Sequence, residues 1–193
     1  DGSPYRPLYD NKVMFNGQPI ALVVAETSEA ATFAASLVVV EYDEAPYVTD
    51  VFSQRNATVS IKEPTNPFEA MFVPPRERGK PDQALAEAAV RHDAEYFVPI
   101  EHHNPMELYA ATAVYATGGK LRVYDKTQGV QNVQKYLCGV FNMKSEDIRV
   151  MSPFMGGGFG SGLRPQFECV LAVLAALALK RSVRVVLTRA QMY

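Results

Sequence analysis

Between an apolar run ending at Met151 and a second beginning at Phe167 lies Met155-Gly156-Gly157-Gly158-Phe159-Gly160-Ser161-Gly162, five glycines within seven positions. Without Cβ atoms, successive backbone N–H groups can converge on an anion or an oxo group, and a helix start nearby strengthens such a cradle. No Gly-Lys-Ser/Thr follows, so the loop is not of the Walker type. It also lacks the setting of a Gly-x-Gly-x-x-Gly loop with an acidic residue ~20 positions on. For glycines alone, a flexible turn or a tightly packed strand–helix crossing stays open, although the bulky Phe159 argues against mere flexibility. Upstream, Thr127-Gln128 closes a predicted strand. Gln128 taken by itself reads as a surface helix cap.

Other chemistry is sparse. His102 and His103 have no carboxylate or Cys at metal-ligand spacing, and read as capping or lining the turn before the next strand. Cys138 and Cys169 lack the Cys-x-x-Cys spacing of a zinc or iron-sulfur site and read as core residues. With 19 Lys and Arg against 21 Asp and Glu, the formal charge is -2. The cations are scattered, so no basic stripe points to nucleic acid. The longest apolar run, Cys169–Leu179, is about half of what a bilayer-spanning helix needs, and nothing at the amino end resembles a signal peptide, so neither points to a membrane.

The elements that would position the loop follow from apolar periodicity. Ile20–Ala25 fits a buried strand after the Gly17-Gln18-Pro19 turn. Thr27 or Ser28 caps a helix to about Leu37, and Val38–Tyr42 resumes strand character, which together make a β-α-β unit. Residues 62–82 hold Pro64, Pro67, Pro74, Pro75, Gly79 and Pro81, the composition of a connector. Beyond it, Ala94–Ile100 and Leu108–Ala116 alternate as strands, and Gly118-Gly119 turns into Leu121–Tyr124. Val130, Val133, Leu137, Val140 and Phe141 recur at helical spacing. A strand, Ile148–Met151, leads into the glycine loop. Pro165 then suits the first turn of a helix that is apolar on nearly every face over Phe167–Leu179, and Val183–Leu187 is a last strand. The expected division is an α/β domain at 1–61, a proline-rich connector at 62–82 and a mixed-sheet domain at 83–193. Ending directly after a strand, the sequence reads as an internal piece of a longer polypeptide.

Four passages in order carry a family resemblance: Gly17-Gln18-Pro19-Ile20-Ala21 with Val23–Thr27, Glu101-His102-His103-Asn104-Pro105-Met106-Glu107, Thr127-Gln128, and Ile148-Arg149-Val150 leading to the Gly-Gly-Gly-Phe-Gly loop. Together they resemble the large, molybdenum-binding subunit of molybdenum hydroxylases of the aldehyde oxidase and xanthine dehydrogenase family, and the Leu163-Arg164-Pro165-Gln166 continuation most resembles its bacterial aldehyde oxidoreductase branch. The resemblance implies an α/β (α+β) fold: the C-terminal part of an α/β hammerhead domain, then the first part of a molybdopterin-binding domain. It implies that Gln128 hydrogen-bonds an oxo ligand of molybdenum. It also implies that the loop at Gly157, Gly158, Phe159 and Gly160 reaches the metal's ligands, the amides of Phe159 and Gly160 in particular. Relatives that oxidise purines carry a Glu where Leu163 stands, so an aldehyde or another less polar substrate is implied, although Arg164 and Gln166 could compensate by reach. The family's catalytic base, a Glu near the carboxyl end of the complete subunit, has no match in this chain.

The implied cofactor is a molybdenum-pterin, in dinucleotide form, with iron-sulfur clusters and FAD on other domains or subunits. The implied activity is hydroxylation of aldehydes or related aromatic or heterocyclic substrates with water as oxygen source. A non-catalytic binding or assembly module of the same fold, and a phosphate- or nucleotide-binding protein using the glycine loop, remain as alternatives. The compartment, cytoplasmic or periplasmic, is left open.

Overall fold

The computed structural model describes residues 6–57, 70–71 and 78–193. Two compact units separate, Asp1–Val39 with Ile100–Tyr193 and, between them, Val40–Pro99. These limits differ from the expected 61 and 83, and most of the 62–82 connector lies outside the described residues.

The sequence-predicted helix near the amino end forms as α1, Ser28–Ser36, with the Thr27 hydroxyl accepting from the Ala30 N–H at 3.2 Å. The strands expected on either side do not form. Ile20–Ala25 and Val38–Tyr42 have no ladder partner among the described residues, and Ile20, Val24 and Val39 are exposed. Apolar, β-branched sequence is suited to a strand, but a strand exists only through a neighbour that takes up its N–H and C=O groups. The β-α-β unit thus reduces to its helix. For the same reason Ala94–Ile100 is exposed and joins no sheet among the described residues.

The Val40–Pro99 unit contains a 3-10 turn at Phe52–Ala57 and a short helix α2, Pro81–Glu87. Pro81 stands in its first turn, where its missing N–H has no helical partner to lose, so the last residues of the expected connector begin a helix. Phe52 packs against Phe97 at 6.3 Å between ring centroids.

In the larger unit, strands β1 (Ala110–Tyr115), β2 (Leu121–Asp125), β3 (Ile148–Met151) and β4 (Val183–Val186) form one mixed sheet in the order β3-β2-β1-β4. β1 pairs antiparallel with β2 and β4, and β2 pairs parallel with β3. Parallel neighbours cannot be joined by a hairpin, and helix α3, Val130–Phe141, makes the crossover. Helix α4, Phe167–Leu179, follows the glycine loop. α4 packs on β1 and β4, and α3 on β3. The alternation of each strand sends Ala111, Ala113, Leu121, Val123, Ile148 and Val183 into the core with Val133, Leu137, Val170, Ala172, Val173 and Ala176 from the two helices. The Gln134 side chain ties α3 to the start of β3 by donating to the carbonyls of Ser145 and Ile148 at 3.0 and 2.7 Å.

Both helices end on left-handed residues, Asn142 and Lys180, which turn the chain back toward the sheet. By length and composition alone the stretch Ser161–Leu179 would suffice to cross a bilayer, yet half of it is buried in the fold and α4 is its core helix.

Candidate cofactor site

Because β2 and β3 are parallel neighbours, their carboxyl ends lie at one edge of the sheet, the edge where open α/β sheets bind ligands. β2 runs out into Lys126-Thr127-Gln128 and β3 into the glycine loop. The two segments are bound to each other at several points. The Gln128 N–H donates to the Gly162 carbonyl at 2.9 Å, and the Thr127 hydroxyl donates to the same oxygen at 3.1 Å. Gln128 Oε1 accepts from the N–H groups of Gly160 and Gly162 at 3.1 and 3.2 Å. Two donors facing one end of the amide require that end to be the oxygen, which leaves the amino group as the remaining donor. The structure therefore brings Gln128 and the Phe159-Gly160 step together, and does so directly. The Gly160 N–H, expected to be free for a ligand, is committed to Gln128, whereas the Phe159 N–H makes no hydrogen bond among the described residues.

The loop keeps its shape at a cost in backbone strain. Gly157 and Gly160 have φ of 92° and 94°, and Phe159 has φ of 53°, a conformation that costs an ordinary L-residue ~1–2 kcal/mol. Despite this Phe159 is 72% exposed. An apolar ring raised on a strained turn is the reverse of what folding alone favours, and fits a surface that meets something else. Gly158 is buried, and a Cβ there would lie 2.5 Å from Gln128 Oε1 and 2.6 Å from Met155 Cε. A side chain at this position would force Gln128 and Met155 to shift. Below the loop, the Tyr109 and Ser161 hydroxyls are hydrogen-bonded, and Gln166 Nε2 donates to the Ser161 carbonyl at 2.7 Å. Leu163 is exposed on the short turn that follows, Ser161–Leu163.

Two parts of this edge were not singled out in the sequence. The first is a clasp around the Asn104-Pro105-Met106-Glu107 segment. Glu107 Oε2 accepts from the Gly156 N–H at 2.6 Å, and Arg189 reaches the same segment with both terminal nitrogens. The motif itself was the available signal. The second is a buried ionisable cluster: Asp125, Lys126 and Glu168 are all nearly inaccessible, and Lys126 Nζ sits 4.1 Å from the Tyr109 ring centroid. Both Glu168 carboxyl oxygens, Asp125 Oδ1 and Lys126 Nζ have no hydrogen-bond partner among the described residues. Burial pushes the Glu168 carboxyl up to about 8, and the neighbouring Asp125 adds to the rise. Burial likewise lifts Asp125 to about 6, against hydrogen bonds from the Cys169 thiol and the Lys126 backbone. It lowers Lys126, against the attraction of Glu107 and Glu168. Glu168 escapes a reading of α4 as apolar because it is the one charged residue in that helix.

His102 stacks edge-on against Tyr193 at 5.1 Å, and no group of three or more His, Cys, Asp or Glu residues able to hold a metal ion occurs among the described residues. Cys169 is buried and Cys138 half-buried.

An α/β domain with a glycine loop and a polar side chain meeting at the carboxyl edge of its parallel strands defines a ligand-cradling fold. The chain belongs to the molybdopterin cofactor-binding domains of the aldehyde oxidase and xanthine dehydrogenase family: the cofactor-binding domain model matches residues 62–193, and the a/b hammerhead domain model of that family matches residues 2–46. It is similar to the aldehyde oxidoreductase molybdenum-binding subunit PaoC of Escherichia coli (strain K12), 37% identical over 172 residues, 89% of this chain and 22% of the relative. An indole-3-acetaldehyde oxidase of Zea mays is 30% identical over 182 residues, 91% of this chain and 13% of the relative. Among solved structures, quinoline 2-oxidoreductase from Pseudomonas putida 86 superposes with a TM-score of 0.70 at 26% identity, over 86% of this chain and 21% of that one. The chain thus spans about a fifth of the length of the first of these relatives.

Proposed function

We propose that this chain forms one wall of the molybdenum-pterin site of an oxidoreductase that hydroxylates aldehydes, or related aromatic or heterocyclic substrates, with water as oxygen source. The observation that carries this reading is the convergence of Gln128 and the Phe159-Gly160 step at the carboxyl ends of β2 and β3.

The residues present fit the cofactor. Gly158 is a cradle that a Cβ would fill, and the orientation imposed on Gln128 leaves an uncharged amino donor at the same edge. Gln128 and the Phe159 N–H would bind it, with Gly157, Gly158 and Gly160 keeping the backbone close. When bound, the cofactor supplies the two-electron oxidation that no side chain here can perform. The chain's own contribution is positional. Gln128 orients a donor, the exposed Phe159 ring excludes water from one side, and Leu163 gives the substrate approach an apolar border.

The base Glu would lie in another part of the subunit, and iron-sulfur clusters and FAD on other domains or subunits would carry the electrons away. The dinucleotide form of the pterin, and a division into a hammerhead domain at 1–61, a connector at 62–82 and a cofactor domain at 83–193, belong to the same proposal. The spans of the two family models, 2–46 and 62–193, support the order of the two domains, the second span taking in residues 62–82 as well.

The test is metal and cofactor analysis of the full-length complex, with turnover of aromatic and aliphatic aldehydes against a dye acceptor. Stoichiometric molybdenum with aldehyde oxidation is expected. Molybdenum-free protein that binds phosphate or a nucleotide would replace this reading with a phosphate-cradling one. Molybdenum-free protein that binds neither would leave an assembly module.

A further inference from the structure

The glycine loop is held on one side by Gln128 and Ser161, and on the other by a segment with no place in the reading above. Asn104 has φ of 38°, a left-handed conformation at a non-glycine residue, and Pro105 beside it is fully buried. Arg189 holds this bend. One terminal nitrogen donates to Asn104 Oδ1 and to the Pro105 carbonyl, both at 2.7 Å, and the other donates to the Met106 carbonyl at 2.9 Å. Three acceptors on two terminal nitrogens require the planar guanidinium, because a lysine ammonium presents a single point. The bend delivers Glu107 to the loop. The Glu107 N–H donates to the Gly156 carbonyl at 3.3 Å and its carboxyl accepts from the Gly156 N–H at 2.6 Å, a two-bond clasp. The fit is close, since a Cβ on Gly156 would lie 2.7 Å from Glu107 Cβ. Three residues downstream of that clasp stands Phe159 in its strained conformation.

We propose that Glu107 and Arg189 are positioning residues that set the glycine loop in its ligand-ready shape, Arg189 by fixing the 104–106 bend and Glu107 by clasping Gly156. Their effect on turnover rests on the function proposed above, but their effect on the loop does not. The role asked of Glu107 is that of a hydrogen-bond acceptor. A glutamine can fill it, whereas a proton-transferring Glu would not be replaced by one.

The experiment is hydrogen exchange on the full-length protein, comparing peptides over 152–163 with peptides over α4, alongside molybdenum content and the separate values of kcat and KM. Glu107→Ala is expected to speed exchange in the loop on the order of tenfold, the effect of losing one hydrogen bond to a charged group, with α4 unchanged. It should lower kcat with little change in KM. Glu107→Gln is expected to restore both loop protection and kcat. Arg189→Lys, which keeps the charge but not the fork, is expected to behave like Glu107→Ala. Wild-type loop exchange in Glu107→Ala, an equal rise over the loop and α4, or a Glu107→Gln protein as loose as the alanine variant would each overturn the proposal. If wild-type protein proves free of molybdenum while the loop responds as described, the function reading fails and the positioning role stands.

Discussion

Gln128 Oε1 lies 3.1 Å from the amide nitrogen of Gly160, although the two residues are 32 positions apart. That hydrogen bond gives the side chain two duties, holding the loop with its oxygen and offering its nitrogen outward, and substitutions can separate them. Gln128→Ala loses both, and turnover of the full-length enzyme should fall by on the order of 10²-fold, the usual effect of removing one preorganised donor. Gln128→Glu keeps an acceptor for the Gly160 and Gly162 amides but loses the donor. Loop protection in hydrogen exchange should therefore survive while kcat falls. Wild-type turnover in a Gln128→Ala enzyme that retains its cofactor would dismiss the functional role.

Gly158→Ala places a methyl group where Gln128 Oε1 and Met155 Cε already stand, at 2.5 and 2.6 Å. Overpacking of this kind costs ~1–3 kcal/mol, and relief requires Gln128 or the loop to move. The expected result is reduced molybdenum content, measured by metal analysis, with a smaller loss in melting temperature than a core truncation such as Leu137→Ala produces. Leu137 is fully buried, and its truncation should cost ~2–5 kcal/mol.

Leu163→Glu puts a hydrogen-bond acceptor at the proposed apolar border of the substrate approach. Leu163 is 44% exposed, so the added carboxylate is not forced into an unpaired burial. Relative kcat/KM should shift from aldehydes toward polar heterocycles such as purines. Identical ratios in mutant and wild type would remove Leu163 from the substrate path.

The buried acids give a pH dependence with a defined sign. Glu168 is pushed from 4.5 up to about 8 in the folded protein, chiefly by burial. Between those values the folded state keeps a proton that the unfolded state has released, so Glu168 weakens stability progressively as pH rises from about 4.5 to about 8. Asp125, lifted from 3.8 to about 6, acts in the same sense at the lower end of that window. Glu168→Gln removes the larger part of the slope, and its gain in melting temperature over wild type should grow from pH 5 to pH 8. A constant difference across that range would mean that Glu168 is charged in the fold.

Local chemistry made α1, α3, α4 and the four strands legible, because each carries its own period of apolar residues and its own stop signals, from Thr27 at the start of α1 to the glycines around Gly118. The same local signals misled at Ile20–Ala25, Val38–Tyr42 and Ala94–Ile100. A strand is a property of two segments, and apolar alternation in one says nothing about whether a partner lies beside it. The glycine loop, Gln128 and the Glu101–Glu107 motif could be found by composition and resemblance.

What they do to one another could not. That Gln128 turns its oxygen to Gly160, that Glu107 clasps Gly156, and that Arg189 returns from the far end of the chain to hold residues 104–106 are consequences of the parallel pairing of β2 with β3 and of β4 lying beside β1. The sequence by itself determined which residue types were available to build a cradle. Tertiary structure alone decided which hydrogen bonds they make, because partners 32 to 85 positions apart meet only once the sheet order is set. It also placed Asp125, Lys126 and Glu168 together out of water, where burial outweighs the attraction between Lys126 and the two acids.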